Sequence, residues 1–335
     1  MLRHYIANSP MHPDFIKWKA ELAELLGKSE EVVTRREAPS PPLPLEPKPP
    51  EATPAKPPED QVDGQAGGKV VHLPVWPNPV RAVPNGVLRS ALFGALPKGP
   101  RRTMKLERVA ALEGIEIFYT GEQLDQDDLD VWEAVLHVCR EQAMGKRHAF
   151  TAYELLKLLG KDDTGGKRGT RKLVDDRLER LHTCTVRIKV GRYSYSGHLI
   201  HELYRDEETR RYEIVLNPKL SGLFGPDQFT QLEWAVRQAL DGKPLAQWLH
   251  GFFSTHAAPL PIKISTLREL CGSEVARTCD FKKKLIKALE AVSVASEAHG
   301  QPFGFTLERD LVCVQRTASK SQLRHLAKKS RRPRP

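Results

Sequence analysis

The loop at residues 160–167 contains glycines and a lysine that invite comparison with a phosphate-binding loop. It reads G-K-D-D-T-G-G-K. A phosphate-binding loop follows a strand, keeps its glycines and lysine at fixed spacing, and continues with Ser or Thr to hold magnesium. Here the spacing is one residue too long, Arg168 stands in the Ser/Thr position, and the loop follows a helical pattern. The sequence therefore argues against nucleotide binding.

Two further clusters of titratable residues are weak evidence for catalysis. His198, His201 and Glu202 could ligate a metal, but this stretch is predicted to be a strand, where residues three apart point to opposite faces. The acidic residues between Asp125 and Asp130 lie at a predicted helix start, where the helix dipole favours carboxylates. No nucleophile stands beside a base in a recognisable pattern. We predict that the protein is not an enzyme and has no catalytic residues, metal or cofactor.

Basic residues form a more coherent pattern between Thr266 and Arg316. Thr266 and Glu269 have capping-box spacing, Gly272 breaks the first helix, and Ser273 is predicted to cap the next one. In that second helix the apolar positions recur at helical spacing: Phe281, Leu285, Ala288, Leu289 and Val292. The opposite face carries Arg277, Asp280, Lys283, Lys284 and Lys287. A hairpin is predicted at Phe303–Leu307 and Leu311–Gln315, which completes a winged-helix layout.

The same plan occurs once before in the chain. Thr151 to Leu156 repeats the T-x-x-E-L pattern and leads through glycines into a basic helix at Thr170–His182. Strands are predicted to follow at Thr183–Val190, Tyr195–Tyr204 and Arg211–Leu216. Two copies of one supersecondary unit indicate two similar domains. We therefore predict an α+β fold with two tandem winged-helix domains.

The exposed polar faces of the two basic helices are the predicted DNA-binding surface. Arg and Lys on a helix in the major groove reach guanine O6 and N7, while other lysines hold phosphates. The predicted contacts are Ser273, Arg277, Thr278, Lys283, Lys284 and Lys287 in the second unit, and Lys167, Arg168, Arg171, Lys172 and Arg192 in the first. The alternative for either helix is a solvated face. In the first helix Asp175, Asp176 and Glu179 dilute the charge.

Composition agrees with a polyanionic partner. The 335 residues include 52 Lys and Arg against 42 Asp and Glu, a net charge of +10. This attracts nucleic acid or an anionic membrane surface, but no apolar run is long enough to span a bilayer. Five dispersed cysteines without a CxxC pair and without a secretion signal favour a reducing cytoplasm.

The rest of the chain divides by composition. Asp14–Gly27 is predicted to form an amphipathic helix, and the proline-rich stretch after it is a predicted disordered linker. Helices are expected at about Asp127–Gln142, Gln228–Leu240 and Pro244–His256. The predicted boundaries are a disordered N-terminal region at 1–68, a Trp/Pro-containing segment packing on the first domain at 69–100, winged-helix domains at 101–226 and 227–316, and a disordered basic C-terminal tail at 317–335.

Several unusual stretches, in this order, resemble one protein family. They read W-P-N-P-V-R-A-V-P-N-G-V-L-R-S-A-L-F (Trp76–Phe93), I-F-Y-T-G-E-Q-L-D-Q-D-D-L-D-V-W-E-A-V-L (Ile117–Leu136) and L-R-E-L-C-G-S (Leu267–Ser273). The chain from Val70 to Arg316 resembles the TrfA-type replication initiators of broad-host-range plasmids, within the Rep winged-helix class. Only this resemblance indicates replication.

The resemblance implies a function and partners. Such initiators bind direct repeats called iterons at the origin, help to open an adjacent AT-rich segment, and act with the host initiator DnaA and the replicative helicase DnaB. Their dimers are inactive and monomers bind the origin. The helix at Ser273–Lys287 would take one part of each repeat, and Lys167–His182 would take the other or serve dimerisation. The clamp-binding peptide of TrfA-like proteins lacks its aromatic anchor here, at Gln65–Leu73, which argues against sliding-clamp contact at that position.

Two alternatives belong to other functional classes. A winged-helix transcriptional regulator would use the same helices on one symmetric operator and would not melt an origin. A nucleotide-driven enzyme would hydrolyse ATP, which the loop at 160–167 does not favour.

Overall fold

The computed structural model describes residues 70–164, 169–206, 208–209 and 211–330, without the side chains of residues 325 and 328–330. The described chain is a mixed α/β fold with two hydrophobic cores. The predicted helix at Asp14–Gly27, the proline-rich linker, and Lys167 and Arg168 lie outside the described residues. The predicted domain boundaries stay predictions.

The Trp/Pro-containing segment supplies large buried side chains to the first core. It contains β1 (Val80–Pro84), the short helix α1 (Asn85–Leu88) and β2 (Phe93–Gly94). Trp76 is buried and its indole Nε1 donates to Nδ1 of His137 at 3.1 Å. Removing such apolar side chains from water stabilises the fold by about 1.5–3 kcal/mol each. The segment is therefore an integral part of the first core.

A four-stranded antiparallel sheet forms one side of the first core. Its strands are β3 (Thr103–Val109), β4 (Ile115–Glu122), β7 (Thr185–Val190) and β8 (Tyr193–Gly197), in the order β3-β4-β7-β8. The first two strands form an antiparallel hairpin. Its register shifts between Met104 and Glu107, where Leu106 has a φ of 52°. β5 (Leu124–Asp125) pairs in parallel with β2.

Three helices and a second sheet complete this core. The helices are α2 (Gln126–Cys139), α3 (Ala152–Leu159) and α4 (Thr170–Thr183). Capping boxes start α2 at Asp125 and α3 at Thr151, each satisfying free N–H groups of the first turn. The sheet has the order β6 (Arg147–Thr151), β10 (Arg211–Val215), β9 (Glu202–Arg205), and a 3-10 helix follows at Pro218–Phe224.

The second core is built around a long helix and a hairpin. Its helices are α5 (Trp234–Ala239), α6 (Pro244–Ser254), α7 (Ile264–Leu270) and α8 (Thr278–Ala298). The sheet has the order β12 (Ile262–Lys263), β14 (Leu311–Arg316), β13 (Phe303–Glu308). All five residues of the predicted apolar stripe of α8 are buried, so helical spacing predicted its inward face correctly.

Two predicted elements in the middle of the chain are wrong. Gln228–Leu240 is not one helix: Phe229–Glu233 forms β11, which pairs with β1, and only Trp234–Ala239 is helical. Tyr195–Tyr204 is not one strand, because β8 ends at Gly197 and β9 belongs to the other sheet. Between these two strands the indole of Trp132 donates to the carbonyl of Leu199 at 3.3 Å. Such distant partners leave no local sequence signal.

Helix starts and the tail also differ from prediction. Thr266 does not cap α7, which begins at Ile264 directly after β12 with Lys263 as its N-cap. Ser273 does not cap α8, whose N-cap is Arg277; the Ser273 hydroxyl instead accepts from the N–H of Val275 at 3.4 Å. The tail was predicted to be disordered, but Lys320–Ser330 forms helix α9.

A buried ionic cluster joins the two cores. The guanidinium of Arg237 in α5 is 1% exposed and donates from Nε to Asp130 Oδ1 of α2 at 2.5 Å. A second carboxylate, Glu133, lies 3.4 Å from the same Nε. Arg237 also donates to the carbonyl of Gln126 at 3.2 Å. Because α2 belongs to the first core, and Val236 and Leu240 on either side of Arg237 belong to the second, this cluster connects the two cores in the interior.

Candidate nucleic-acid interface

Helix α8 presents a cationic face on the side opposite its buried stripe. Arg277 and Lys283 have side chains about 80% and 79% exposed, and Lys284 and Lys287 are exposed as well. Arg277 Nε lies 3.1 Å from Asp280, and Lys283 Nζ lies 3.9 Å from the same carboxylate. Within the described part of the chain, no ion pair involves Lys284 or Lys287. These two side chains are available to an anionic partner.

The first turn of α8 is open to solvent. No side chain caps it, and Thr278 is exposed, so backbone N–H groups at this end point outward. Arg268 of α7 holds this turn in place, since its Nη1 donates to the Ala276 carbonyl at 3.1 Å and to the Thr278 hydroxyl at 3.2 Å. No pattern in the sequence singles out Arg268. Its role depends on a tertiary contact that spacing does not reveal.

Residues 89–95 hold the turn that precedes α8. The N–H of Ala95 donates to the Cys271 carbonyl at 2.8 Å, and the Trp248 indole donates to the Ser90 carbonyl at 3.0 Å. Gly272 has a φ of +65°, and a Cβ there would lie 3.2 Å from the Ala91 Cβ. The positive φ favours glycine at this turn, and the close approach of Ala91 adds to the cost of a side chain there. Residues 89–95 therefore position helix α8.

The hairpin β13–β14 is tied to α8 at its tip. Its two-residue turn places Arg309 at a φ of 57°. Lys282 Nζ donates to the Arg309 carbonyl at 3.1 Å, and the Ile264 N–H donates to the Asp310 carbonyl at 2.8 Å. Lys282 thus connects the helix to the hairpin, while its neighbours Lys283 and Lys284 point to solvent. The arrangement is a helix, a turn, a basic helix and a hairpin.

Helix α4, the first basic helix, differs from α8 in its charge balance. Each of its Arg and Lys residues pairs with a carboxylate: Arg171 with Asp163 at 2.6 Å, Lys172 with Asp176 at 2.5 Å, Arg177 with Asp127 at 2.6 Å, and Arg180 with Asp128 at 2.8 Å. These pairs reduce the attraction of α4 for phosphate. Two of the carboxylates, Asp127 and Asp128, belong to the acidic start of α2.

The predicted DNA contacts therefore fall into separate groups. Arg277, Thr278, Lys283, Lys284 and Lys287 lie on or next to α8, and Ser273 lies in the loop before it. Arg171 and Lys172 lie on α4. Arg192 lies in the β7–β8 turn, where its guanidinium packs over the Tyr193 ring at 5.1 Å from the centroid. Their DNA contacts stay a prediction.

One acidic cluster has the spacing of a metal site but also has cationic partners. Ligand atoms of Asp127, Asp130 and Asp241 lie within 4.8 Å of one another. The three carboxylates pair with Arg177, Arg237 and Lys161 at 2.6, 2.5 and 3.0 Å, respectively. These cations already neutralise the charge that would attract a metal ion. His198 and His201 lie between β8 and β9. The prediction that they stand on one strand, with side chains on opposite faces, is therefore wrong.

Burial shifts the pKa values of several groups behind the interface. Desolvation raises the pKa of Glu133 to about 8, against the opposing effect of Arg237. Desolvation also lowers the pKa of His250 to about 3 and that of His256 to about 4. Each of these groups prefers its neutral form because charge is costly in an apolar interior.

None of the helices in the described residues has the length and hydropathy to span a bilayer.

Two solved structures align with parts of this chain. Domains 2–3 of RctB align with a TM-score of 0.45 at 14% identity, covering 69% of this chain and 97% of that one. The Pi initiator protein in complex with iteron DNA aligns with a TM-score of 0.42 at 11% identity, covering 57% of this chain and 91% of that one.

Two relatives have higher sequence identity to this chain than these structures do. The plasmid replication initiator protein TrfA of Escherichia coli is 30% identical over 223 residues, 64% of this chain and 57% of that protein. RepFIB replication protein A of Escherichia coli is 26% identical over 172 residues, 49% of this chain and 52% of that protein. The chain thus spans a little over half the length of these relatives. The TrfA protein family model matches residues 61–299, and the chain belongs to the TrfA family of plasmid replication initiators.

Proposed function

We propose that the protein initiates plasmid replication by binding direct repeats, the iterons, at the plasmid origin. The observation that carries this proposal is the exposed cationic face of α8 in a member of the TrfA family, where Lys284 and Lys287 have no ion pair within the described residues. A plasmid initiator must recognise origin DNA, and a basic helix next to a hairpin is a suitable reader of duplex DNA. The proposal includes two tandem winged-helix domains, one around each hydrophobic core.

In this proposal α8 enters the major groove and the hairpin β13–β14 lies against the adjacent backbone. Lys284 and Lys287 supply charge without breaking an internal ion pair. Arg277 must exchange Asp280 for DNA, which reduces its net contribution. An exposed ion pair contributes about 0–1 kcal/mol, so this exchange costs little binding free energy. The open first turn of α8 adds backbone donors for a phosphate.

Helix α4 has a secondary role. It either contacts the other part of each repeat or contributes to the dimer. In the second case the protein exchanges between a monomer and a dimer. Its paired basic residues argue for a smaller share of the binding energy than α8. Lys167, Arg168 and Arg192 would add flanking charge for the DNA-binding role.

The protein acts through partners and catalyses no reaction itself. It helps to open an AT-rich segment beside the repeats and to recruit the host DnaA and DnaB in the bacterial cytoplasm. The sliding clamp is not among the proposed direct partners at 65–73, because the sequence there lacks an aromatic anchor. The net charge of +10 supports non-specific DNA attraction that precedes specific binding.

DNase footprinting across the DNA around the protein's own gene tests this function. We expect protection of several evenly spaced direct repeats beside an AT-rich segment, and permanganate reactivity in that segment when protein is bound. Protection of one inverted repeat over a promoter, without melting, would contradict the proposal and favour the transcriptional regulator. Lys284→Ala protein is the matched control for contact through α8.

A further inference from the structure

An open groove runs along one side of α8. It has a volume of about 860 Å³ and lies between the first half of α8, the start of α6, residues 95–97 and the loop at 273–275. The groove is lined mainly by apolar side chains, among them Pro97, Leu245, Val275, Ala288 and Ala291. Three of these, Leu245, Val275 and Ala291, are only partly buried. The groove therefore leaves apolar surface in contact with water.

The rim of this groove is cationic. Lys243, Lys284 and Lys287 are exposed along it and have no ion-pair partner among the residues with described side chains. The groove also contains two carboxylates, Glu274 and Asp280, but Asp280 already faces Arg277 and Lys283. The rim thus has an excess of positive charge around an apolar floor.

This combination distinguishes between two kinds of occupant. Duplex DNA presents phosphates to lysines but offers little that would cover an apolar floor. An amphipathic helix covers the floor with its apolar face, at positions i, i+3, i+4 and i+7, and its flanking carboxylates can meet the lysines. Removal of the apolar floor from water favours this docking. The groove is complementary to an acidic amphipathic helix.

We propose that this groove docks an acidic amphipathic helix of a partner protein. Its apolar side chains lie against Leu245 and Ala291, and its carboxylates pair with Lys243, Lys284 and Lys287. The proposal rests on the proposed function in one respect: Lys284 and Lys287 are also proposed DNA contacts. Partner docking and DNA binding through α8 therefore exclude one another.

Selection from a phage library of helical 16-residue peptides tests the docking. The full chain is the bait, and the Ala291→Trp variant, which fills the groove, is used for counter-selection. We expect the enriched peptides to carry an apolar stripe flanked by Asp and Glu. Absence of enrichment over the Ala291→Trp variant, or enriched peptides without acidic residues, would overturn the proposal.

Fluorescence anisotropy with the synthesised consensus peptide gives a second measurement. Lys243→Glu should weaken peptide binding at least tenfold, while Lys320→Glu, a charge change of the same size outside the groove, should leave it unchanged. A peptide of the same composition in scrambled order should not bind. Equal binding of the scrambled peptide would reduce the effect to charge attraction and overturn the proposal.

The competition between partner and DNA is measured separately. A duplex carrying the footprinted repeats should displace the labelled peptide from the full chain, and peptide retained under saturating duplex would overturn mutual exclusion. Peptide binding is measured without DNA, so a failure of iteron binding would leave the docking result intact. Circular dichroism of the Ala291→Trp and Lys243→Glu proteins verifies that both are folded.

Discussion

At the scale of single residues, Arg237 is a cation placed in the interior between the acidic side chains of Asp130 and Glu133. Its guanidinium is 1% exposed, and Asp130 and Glu133 face it with side chains 8% and 0% exposed. Removing one partner of a buried pair leaves an uncompensated charge. The three residues act as one unit, so their substitutions will not be additive.

We expect Arg237→Met to destabilise the protein by about 3–5 kcal/mol, because Met replaces the volume but leaves the buried Asp130 carboxylate without its cation. Urea unfolding followed by circular dichroism measures the change. Arg147→Met is the matched control: its guanidinium is 61% exposed and 3.5 Å from Glu213, so its effect should stay below about 1 kcal/mol. A loss for Arg237→Met as small as that for the control would contradict the structural role of the cluster.

The buried carboxyl of Glu133 predicts a pH dependence of stability. Its folded-state pKa is raised from 4.5 to about 8, so between these values the folded protein retains a proton that the unfolded chain has lost. Stability therefore falls as the pH rises through this window. Glu133→Gln should remove this part of the slope and raise stability at the upper end.

Urea titrations at several pH values measure the effect of Glu133→Gln. Glu141→Gln, which removes an exposed carboxylate just after the same helix, is the control and should leave the slope unchanged. The histidines act in the opposite direction, since a lowered folded-state pKa costs stability as the pH falls. A wild-type slope retained in Glu133→Gln would show that Glu133 is not the titrating group.

At the scale of elements, α8 depends on parts of the chain far from it in sequence. Its buried stripe packs inside the second core, its first turn is held by Arg268, and its preceding turn is held by residues 89–95. The helix therefore has a fixed direction before any partner arrives. Preorganised contacts lose less entropy on binding.

Lys284→Ala should weaken specific DNA binding by about 1–3 kcal/mol if the lysine reads a base. If it contacts only a phosphate, binding to specific and random DNA should fall equally and the salt slope should drop by about 1. Anisotropy titrations at several salt concentrations separate these outcomes. Lys282→Ala is the control, because its amine donates to the Arg309 carbonyl. Wild-type affinity and salt slope in Lys284→Ala would remove this residue from the interface.

Gly272→Ala tests whether the turn before α8 positions the helix. The substitution combines a φ of +65° with a Cβ 3.2 Å from the Ala91 Cβ. Gly300→Ala has a similar φ of +69° but no atom within 4 Å, so it should carry only the backbone cost of about 1–2 kcal/mol. We expect Gly272→Ala to lose more stability and also DNA affinity in melting and anisotropy assays. Equal losses for the two variants would argue against this positioning contact.

At the scale of the whole molecule, the two cores are coupled by buried contacts. The Arg237 cluster and residues 89–95 both connect them, and residues 68–329 form one compact unit. We expect urea unfolding of residues 68–329 to be a single transition. Fluorescence of single-tryptophan variants that keep Trp132 in the first core or Trp248 in the second measures this. Separate midpoints would contradict the coupling.

Local signals predicted the elements whose formation depends on nearby residues. Capping at Thr151, the apolar stripe of α8 and the β13–β14 hairpin follow from short-range spacing, and each is present. The capping prediction at Thr266 is wrong because pairing of Ile262–Lys263 with β14 starts α7 earlier. Tertiary pairing outweighed a local propensity of about 1 kcal/mol.

The candidate interface was predictable only in part for the same reason. Spacing placed Lys284 and Lys287 on the outer face of α8, because helical geometry alone sets which residues share a face. Spacing could not reveal that the basic residues of α4 have carboxylate partners from α2 and from its own neighbourhood. Nor could it reveal the groove beside α8, since its walls come from three separate parts of the chain.

The sequence by itself determined the family, the cationic character and the inward and outward faces of the helices, because these depend on composition, order and short-range periodicity. Only the tertiary structure decided which charges remain available. Within the described residues, Lys284 and Lys287 of α8 form no ion pair, while Arg177 and Arg180 of α4 are neutralised across the fold. It also decided that Val80–Pro84 pairs with Phe229–Glu233. Contacts between distant residues form when the cores pack, and no local pattern records them.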